Sequence, residues 1–189
     1  MTPERFAALA LLLDRLGALA MVIGGVAVSI HGRPRMTLDA DVTIALDVAE
    51  LPRILEAVNA CGFSPRVDSP REFTEATRVL PLRSVSDGWE VDLIFAGTPY
   101  ELEAISRARV TTLGGVDLPI VSAADLLIHK ILAGRPRDME DAESIALRQG
   151  DRVDRRFVRG TLLELAAFLD DDDIRRRVDA ILPADPPMR

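Results

Sequence analysis

Asp39 and Asp41 stand two residues apart in Met36–Leu46, a stretch whose even positions Met36, Leu38, Ala40, Val42, Ile44 and Leu46 are all apolar. Such alternation reads as a half-buried strand. Residues two apart on a strand leave the same face, with Cα atoms roughly 6.5–7 Å from each other. Two carboxylates so placed repel unless a cation lies between them, and hard divalent ions such as Mg²⁺ take few carboxylates plus water and phosphate oxygens. Two solvated aspartates on a half-exposed strand are the plain alternative. A third carboxylate tips the balance. In Trp89–Phe95 the odd positions Trp89, Val91, Leu93 and Phe95 are bulky and apolar, while Glu90 and Asp92 face the other way. A lone carboxylate on a buried-looking strand is costly, so Asp92 calls for a partner or a metal. Asp39, Asp41 and Asp92 together suffice to hold two metal ions around a phosphate, one activating a nucleophilic oxygen and one stabilising the leaving group. Glu90 shares that face and is expected at its rim.

Gly24-Gly25 lies between a short apolar strand, Ala18–Ile23, and a helical stretch, Val26–His31. Backbone N–H groups there approach an anion without obstruction, and a helix N-terminus adds favourable partial charge. Arg35 and Thr37 approach the aspartate strand on the same face and are further candidates for phosphate contact, with a solvated edge as the alternative. Lys130 falls on the helical wheel between Leu126 and Leu127, inside the apolar arc. A lysine there snorkels to water or meets an anion, and an acidic phosphate site in want of counter-charge favours the second. Asp138 and Asp141 fall in the first turn of the next helix, where capping explains acids. Binding is an equal alternative for Asp138, and Asp141 reads as structural. His31 and His129 have no acid–base partners in the pattern, and Cys61 before Gly62 reads as helix-end packing.

The elements that must position these groups are legible in outline. Thr2-Pro3-Glu4 opens an amphipathic helix stopped at Gly17. Val48–Ala60 is a helix beginning near Asp47, Arg78–Arg83 pairs with Trp89–Phe95, and Gly114-Gly115 joins the hairpin Arg109–Leu113 and Val116–Val121. Ser122 then opens a helix to Ala133, and Pro136–Gly150, Phe157–Leu169 and Ile174–Leu182 are further helices, before a proline-containing end expected to fray. The reading is an α+β fold: a mixed sheet flanked by helices over residues 1–121, then a helical lobe over 122–189, with a cleft between them as the natural ligand site.

Composition narrows the function classes. The 189 residues are 48% hydrophobic and 28% charged, as in an ordinary globular protein. One cysteine and two histidines exclude a disulfide framework and a cysteine-built zinc site, so a metal must be held mainly by oxygen. The net charge of −7 argues against a long duplex footprint, though not against a short nucleic-acid terminus in a local pocket. Aromatics at 4% leave few stacking platforms for single strands. No apolar run reaches membrane-spanning length and no secretory leader is visible after Glu4, so the expected location is the cytoplasm.

The run from Gly24-Gly25 through His31-Gly32-Arg33 to Thr37-Leu38-Asp39-Ala40-Asp41, with Asp92 as a later third acid, resembles the signature of the nucleotidyltransferase (polymerase-beta-like) superfamily. Lys130, Arg135, Arg137, Asp138 and Asp141 are similar to the lysine and Arg-x-Lys-Asp-x-x-Asp segments of its AbiEii/MenT-type toxin branch. The likeness spans Met21–Leu147. It implies transfer of a nucleotide from a nucleoside triphosphate such as ATP to an acceptor hydroxyl, with two Mg²⁺ ions. On that basis Asp39 and Asp41 carry both metals, Asp92 helps bind the catalytic metal and takes the acceptor's proton, and Gly24 and Gly25 hold the triphosphate. The implied acceptor is an RNA or tRNA end, with an antitoxin protein as partner. A small molecule or a protein hydroxyl is the alternative acceptor, and a non-catalytic nucleotide- or partner-binding role is a third reading. Two departures stand out: Gly25 where many relatives have serine, and Arg137 where the toxin branch often has lysine.

Overall fold

The computed structural model describes residues 2–183. The proline-containing end expected to fray lies, from residue 184 on, outside them. Contacts divide the chain into two compact units: residues up to Ala27 with Met36–Ser122, and Val28–Arg35 with the residues from Ala123 on.

The first unit is built on one seven-stranded sheet. Its strands are β1 (Ala20–Ile23), β2 (Asp39–Ile44), β3 (Phe63–Pro65), β4 (Val79–Ser84), β5 (Glu90–Phe95), β6 (Arg109–Leu113) and β7 (Val116–Ile120), in the order β3-β4-β5-β2-β1-β7-β6. The pairs β2–β5 and β1–β7 are parallel and the rest antiparallel, so the sheet is mixed. Helix α1 (Pro3–Leu16) has proline in its first turn and ends on Gly17 in the left-handed conformation, buries Leu9, Leu12, Leu13 and Leu16, and packs on β7 and on α3 (Leu51–Ala60). A 3₁₀ turn, Val48–Glu50, precedes α3 and is capped by Asp47. Two shorter helices, α4 (Pro70–Thr77) and α5 (Pro99–Ser106), complete the unit. Trp89, Phe63, Phe95, Met21, Ile44 and Leu93 are among the largest fully or almost fully buried side chains.

The second unit is helical. Helix α2 (Gly24–His31) gives its first four residues to the sheet unit and its last four to this one. The others are α6 (Ala123–Ala133), α7 (Pro136–Gln149), α8 (Arg155–Leu169) and α9 (Asp172–Ile181), packed through Leu126, Leu127, Ile131, Ile145, Val158, Leu162, Ile174 and Val178. Among the described residues, no helix is long and apolar enough to cross a membrane.

Three differences from the sequence reading matter. Strand β2 starts at Asp39, and Met36 and Leu38 are 86% and 78% exposed. The cause is partner length: β5 pairs with residues 39–44 and the four-residue β1 only with 41–44, so the alternation upstream has nothing to pair with. Helix α2 starts at Gly24, so the glycine pair belongs to its first turn. Strand β3 and helices α4 and α5 lie in stretches where no element is predicted.

Candidate active site

The parallel register of β2 and β5 sets Asp39 beside Glu90 and Asp41 beside Asp92. Directly opposed residues share a face, and adjacent strands lie about 4.8 Å apart, so four carboxylates crowd one face of the sheet. On the other face Ala40, Val42, Ile44, Val91, Leu93 and Phe95 are all buried, which fixes the register: a slip of one residue would drive the acids into the core. The acidic face is partly neutralised from the neighbouring strand. Arg83 of β4 sits opposite Glu90 with its Nη2 3.3 Å from the carboxylate. Pro81, opposite Asp92, brings no charge, and Arg66 supplies one instead: its Nη2 is 2.5 Å from Asp92 Oδ1 and its Nη1 3.2 Å from Glu90 Oε2. At the open end of β2, the Thr37 hydroxyl donates to Asp39 Oδ1 at 2.8 Å.

Gly24 closes the other side. Its φ is +60°, and a Cβ there would overlap the Asp41 carboxylate, standing only 2.8 Å from its Cγ. The absence of a side chain at Gly24 is therefore what lets Asp41 approach the first turn of α2. Gly24→Ala is expected to cost about 1–3 kcal/mol of stability through the left-handed backbone and the overlap. Gly25, which adopts no positive φ, is the control. Urea unfolding of Gly24→Ala and Gly25→Ala checks this, and equal stability of the two would remove the steric argument.

The other predicted residues group within the helical unit. Lys130 neither snorkels nor stands bare: it is 9% exposed, with Nζ 2.8 Å from Asp138 Oδ1 and 3.0 Å from Asp141 Oδ2. Asp141 also takes Arg35 through Nε at 3.3 Å and Nη2 at 3.2 Å. Arg35 thus sits upstream of β2, not on the aspartate strand, and belongs with Lys130, Asp138 and Asp141. Arg137 is on the first turn of α7. The arrangement brings Gly24, Thr37, Asp39, Asp41 and Asp92 together in the sheet unit. Arg66 and the pairing of Glu90 are absent from the sequence reading. The one available signal was that four like charges on a strand pair require a cation.

Among the described residues, no three His, Cys, Asp or Glu side chains close on one point as a preformed metal cage. Mg²⁺ takes one or two protein carboxylates and completes its shell with water and phosphate. Asp39 and Asp41 are carboxylates of the kind such an ion takes, and Asp92 is paired with Arg66.

No protein-family model matches the chain, and no curated protein matches it in sequence. Solved structures do share its architecture. The antibiotic-resistance factor ANT(2'')-Ia in solution superposes with a TM-score of 0.58 at 14% identity, over 90% of this chain and 97% of that one. A nucleotidyltransferase-like antigenic protein from Paracoccidioides brasiliensis gives 0.53 at 19%, over 96% and 94%. The lincomycin-bound lincosamide antibiotic adenylyltransferase LnuA gives 0.50 at 13%, over 77% and 98%. The chain's mixed seven-stranded sheet flanked by helices matches the nucleotidyltransferase α+β fold.

Proposed function

We propose that this chain transfers a nucleotide from a nucleoside triphosphate to an acceptor hydroxyl. The observation that carries the reading is the pairing of Asp41 with Asp92 across two parallel strands, with Asp39 on the same face and Gly24 against Asp41. Asp39, Asp41 and Asp92 would hold Mg²⁺, which would supply charge stabilisation at the triphosphate. Asp92 accepts the proton of the acceptor hydroxyl as its oxygen bonds to the α-phosphorus and the bond to pyrophosphate breaks. The N–H groups at the start of α2 receive triphosphate oxygens, where the helix dipole favours negative charge. Thr37 steadies Asp39 through the hydroxyl it already donates. Within the helical unit, Arg35, Lys130 and Asp138 are the candidates for nucleotide contact.

For the acceptor, the Lys130–Asp141 segment supports an RNA or tRNA end, with the chain as the toxin of a toxin–antitoxin pair. A small-molecule hydroxyl is the second reading. A net charge of −7 disfavours a polyanion, LnuA is an antibiotic adenylyltransferase, and ANT(2'')-Ia has been crystallised with adenylyl-2''-tobramycin. Incubation with α-labelled nucleoside triphosphates and Mg²⁺, in parallel with total RNA, an aminoglycoside and lincosamide panel, and protein extract, separates them. Label in the RNA fraction supports the first and label on an antibiotic the second. Nucleotide binding without transfer to any of them would leave a binding protein, and absence of both would end the proposal.

A further inference from the structure

Arg66 is held in place by backbone, not by the acids it serves. Its N–H donates to the carbonyl of Pro81 at 2.9 Å and its Nε to the carbonyl of Leu82 at 3.1 Å, both on β4. That leaves its two terminal nitrogens to reach across to β5, one to Asp92 at 2.5 Å and one to Glu90 at 3.2 Å. Asp92 and Glu90 are two residues apart on one face, each beside an aspartate of β2. A single guanidinium thus spans both rows of the acidic face, with only a quarter of its side chain exposed.

We infer that Arg66 is an exchangeable counter-cation for Asp92, and that a divalent ion gains this third carboxylate by displacing the guanidinium onto Glu90. The exchange is short because Glu90 already takes the other nitrogen, and Nε keeps its bond to Leu82 throughout. Asp92 exchanges a monovalent guanidinium for a divalent ion, while Glu90, shared with Arg83, receives the released guanidinium. Arg66 is therefore a positioning residue that sets how tightly the site holds its metal. This rests on the nucleotidyl-transfer reading in one respect, that Asp39 and Asp41 receive a divalent ion at all.

The test is titration with Mn²⁺ alone, followed by electron paramagnetic resonance, on the full chain. Arg66→Ala is expected to bind Mn²⁺ about fivefold more tightly than wild type, the size of a partly exposed ion pair that no longer has to be broken. Arg66→Gln, which keeps a donor for the Leu82 carbonyl, is expected to shift the same way and guards against misfolding of the alanine variant. Glu90→Gln, which leaves Arg66 to Asp92, is expected to weaken binding. In an Asp92→Asn background the gain from Arg66→Ala should vanish. Persistence of the gain there would make Arg66 a distant charge and overturn the exchange, as would equal or weaker binding by both Arg66 variants. Failure of the underlying reading looks different: wild type takes up no Mn²⁺, or Asp39→Asn binds it as well as wild type.

Discussion

On the proposed reading, Asp41→Asn is expected to lower nucleotide transfer by at least about 10³-fold, since loss of one metal-binding carboxylate would remove several kcal/mol of transition-state stabilisation and each 1.4 kcal/mol is a factor of ten. The same substitution leaves the fold as stable as before, or more so. Asparagine has the shape of aspartate and fits against Gly24, and it relieves the repulsion between Asp41 and Asp92 on adjacent strands. Inactivity combined with undiminished stability is the mark of a charge kept for chemistry rather than for folding. Transfer of α-labelled nucleotide and urea unfolding of the same preparation measure the two quantities. Wild-type transfer by Asp41→Asn would sink the metal role, and a large loss of stability would make the aspartate structural.

What was legible in advance follows from how local each signal is. The alternation around Asp39 and Asp41, the Gly114-Gly115 hairpin and the stop at Gly17 are fixed by a few adjacent residues, and the elements form there. Strand β3 is three residues long, below what periodicity resolves, and α4 is mostly polar. Helix α5 is a different case. Its start carries Thr98 and Glu101 in a reciprocal capping box with Pro99 at the first position, a signal as local as the stop at Gly17.

The acidic face divides in the same way. Each carboxylate could be assigned to a face from its own strand, but the strand order that sets β5 beside β2 depends on the whole sheet. Arg66 owes its place to the carbonyls of β4, and no spacing rule connects it to Asp92, 26 residues on. Likewise Lys130 could be placed in the apolar arc of α6, whereas the identity of its anion required the packing of α7 on α6.

That packing makes Lys130 the position of largest expected stability change. Its ammonium lies between two carboxylates whose side chains are 12% and 7% exposed. Lys130→Met leaves two buried aspartates facing each other, at a cost of about 3–4 kcal/mol. Arg135 offsets little, being 80% exposed and 3.4 Å from Asp138, and screened accordingly. Asp141 is better provided, because Arg35 holds it through two nitrogens. The uncompensated charge is therefore mainly that of Asp138, and Lys130→Met combined with Asp138→Asn is expected to restore most of the stability. Urea unfolding of the single and double variants tests this, and no recovery in the double variant would place the strain at Asp141 instead. The restored variant also separates folding from chemistry. If Lys130 or Asp138 serves the nucleotide, transfer stays low in a protein that is again stable. If the two serve only the packing of α7 on α6, transfer returns with the fold.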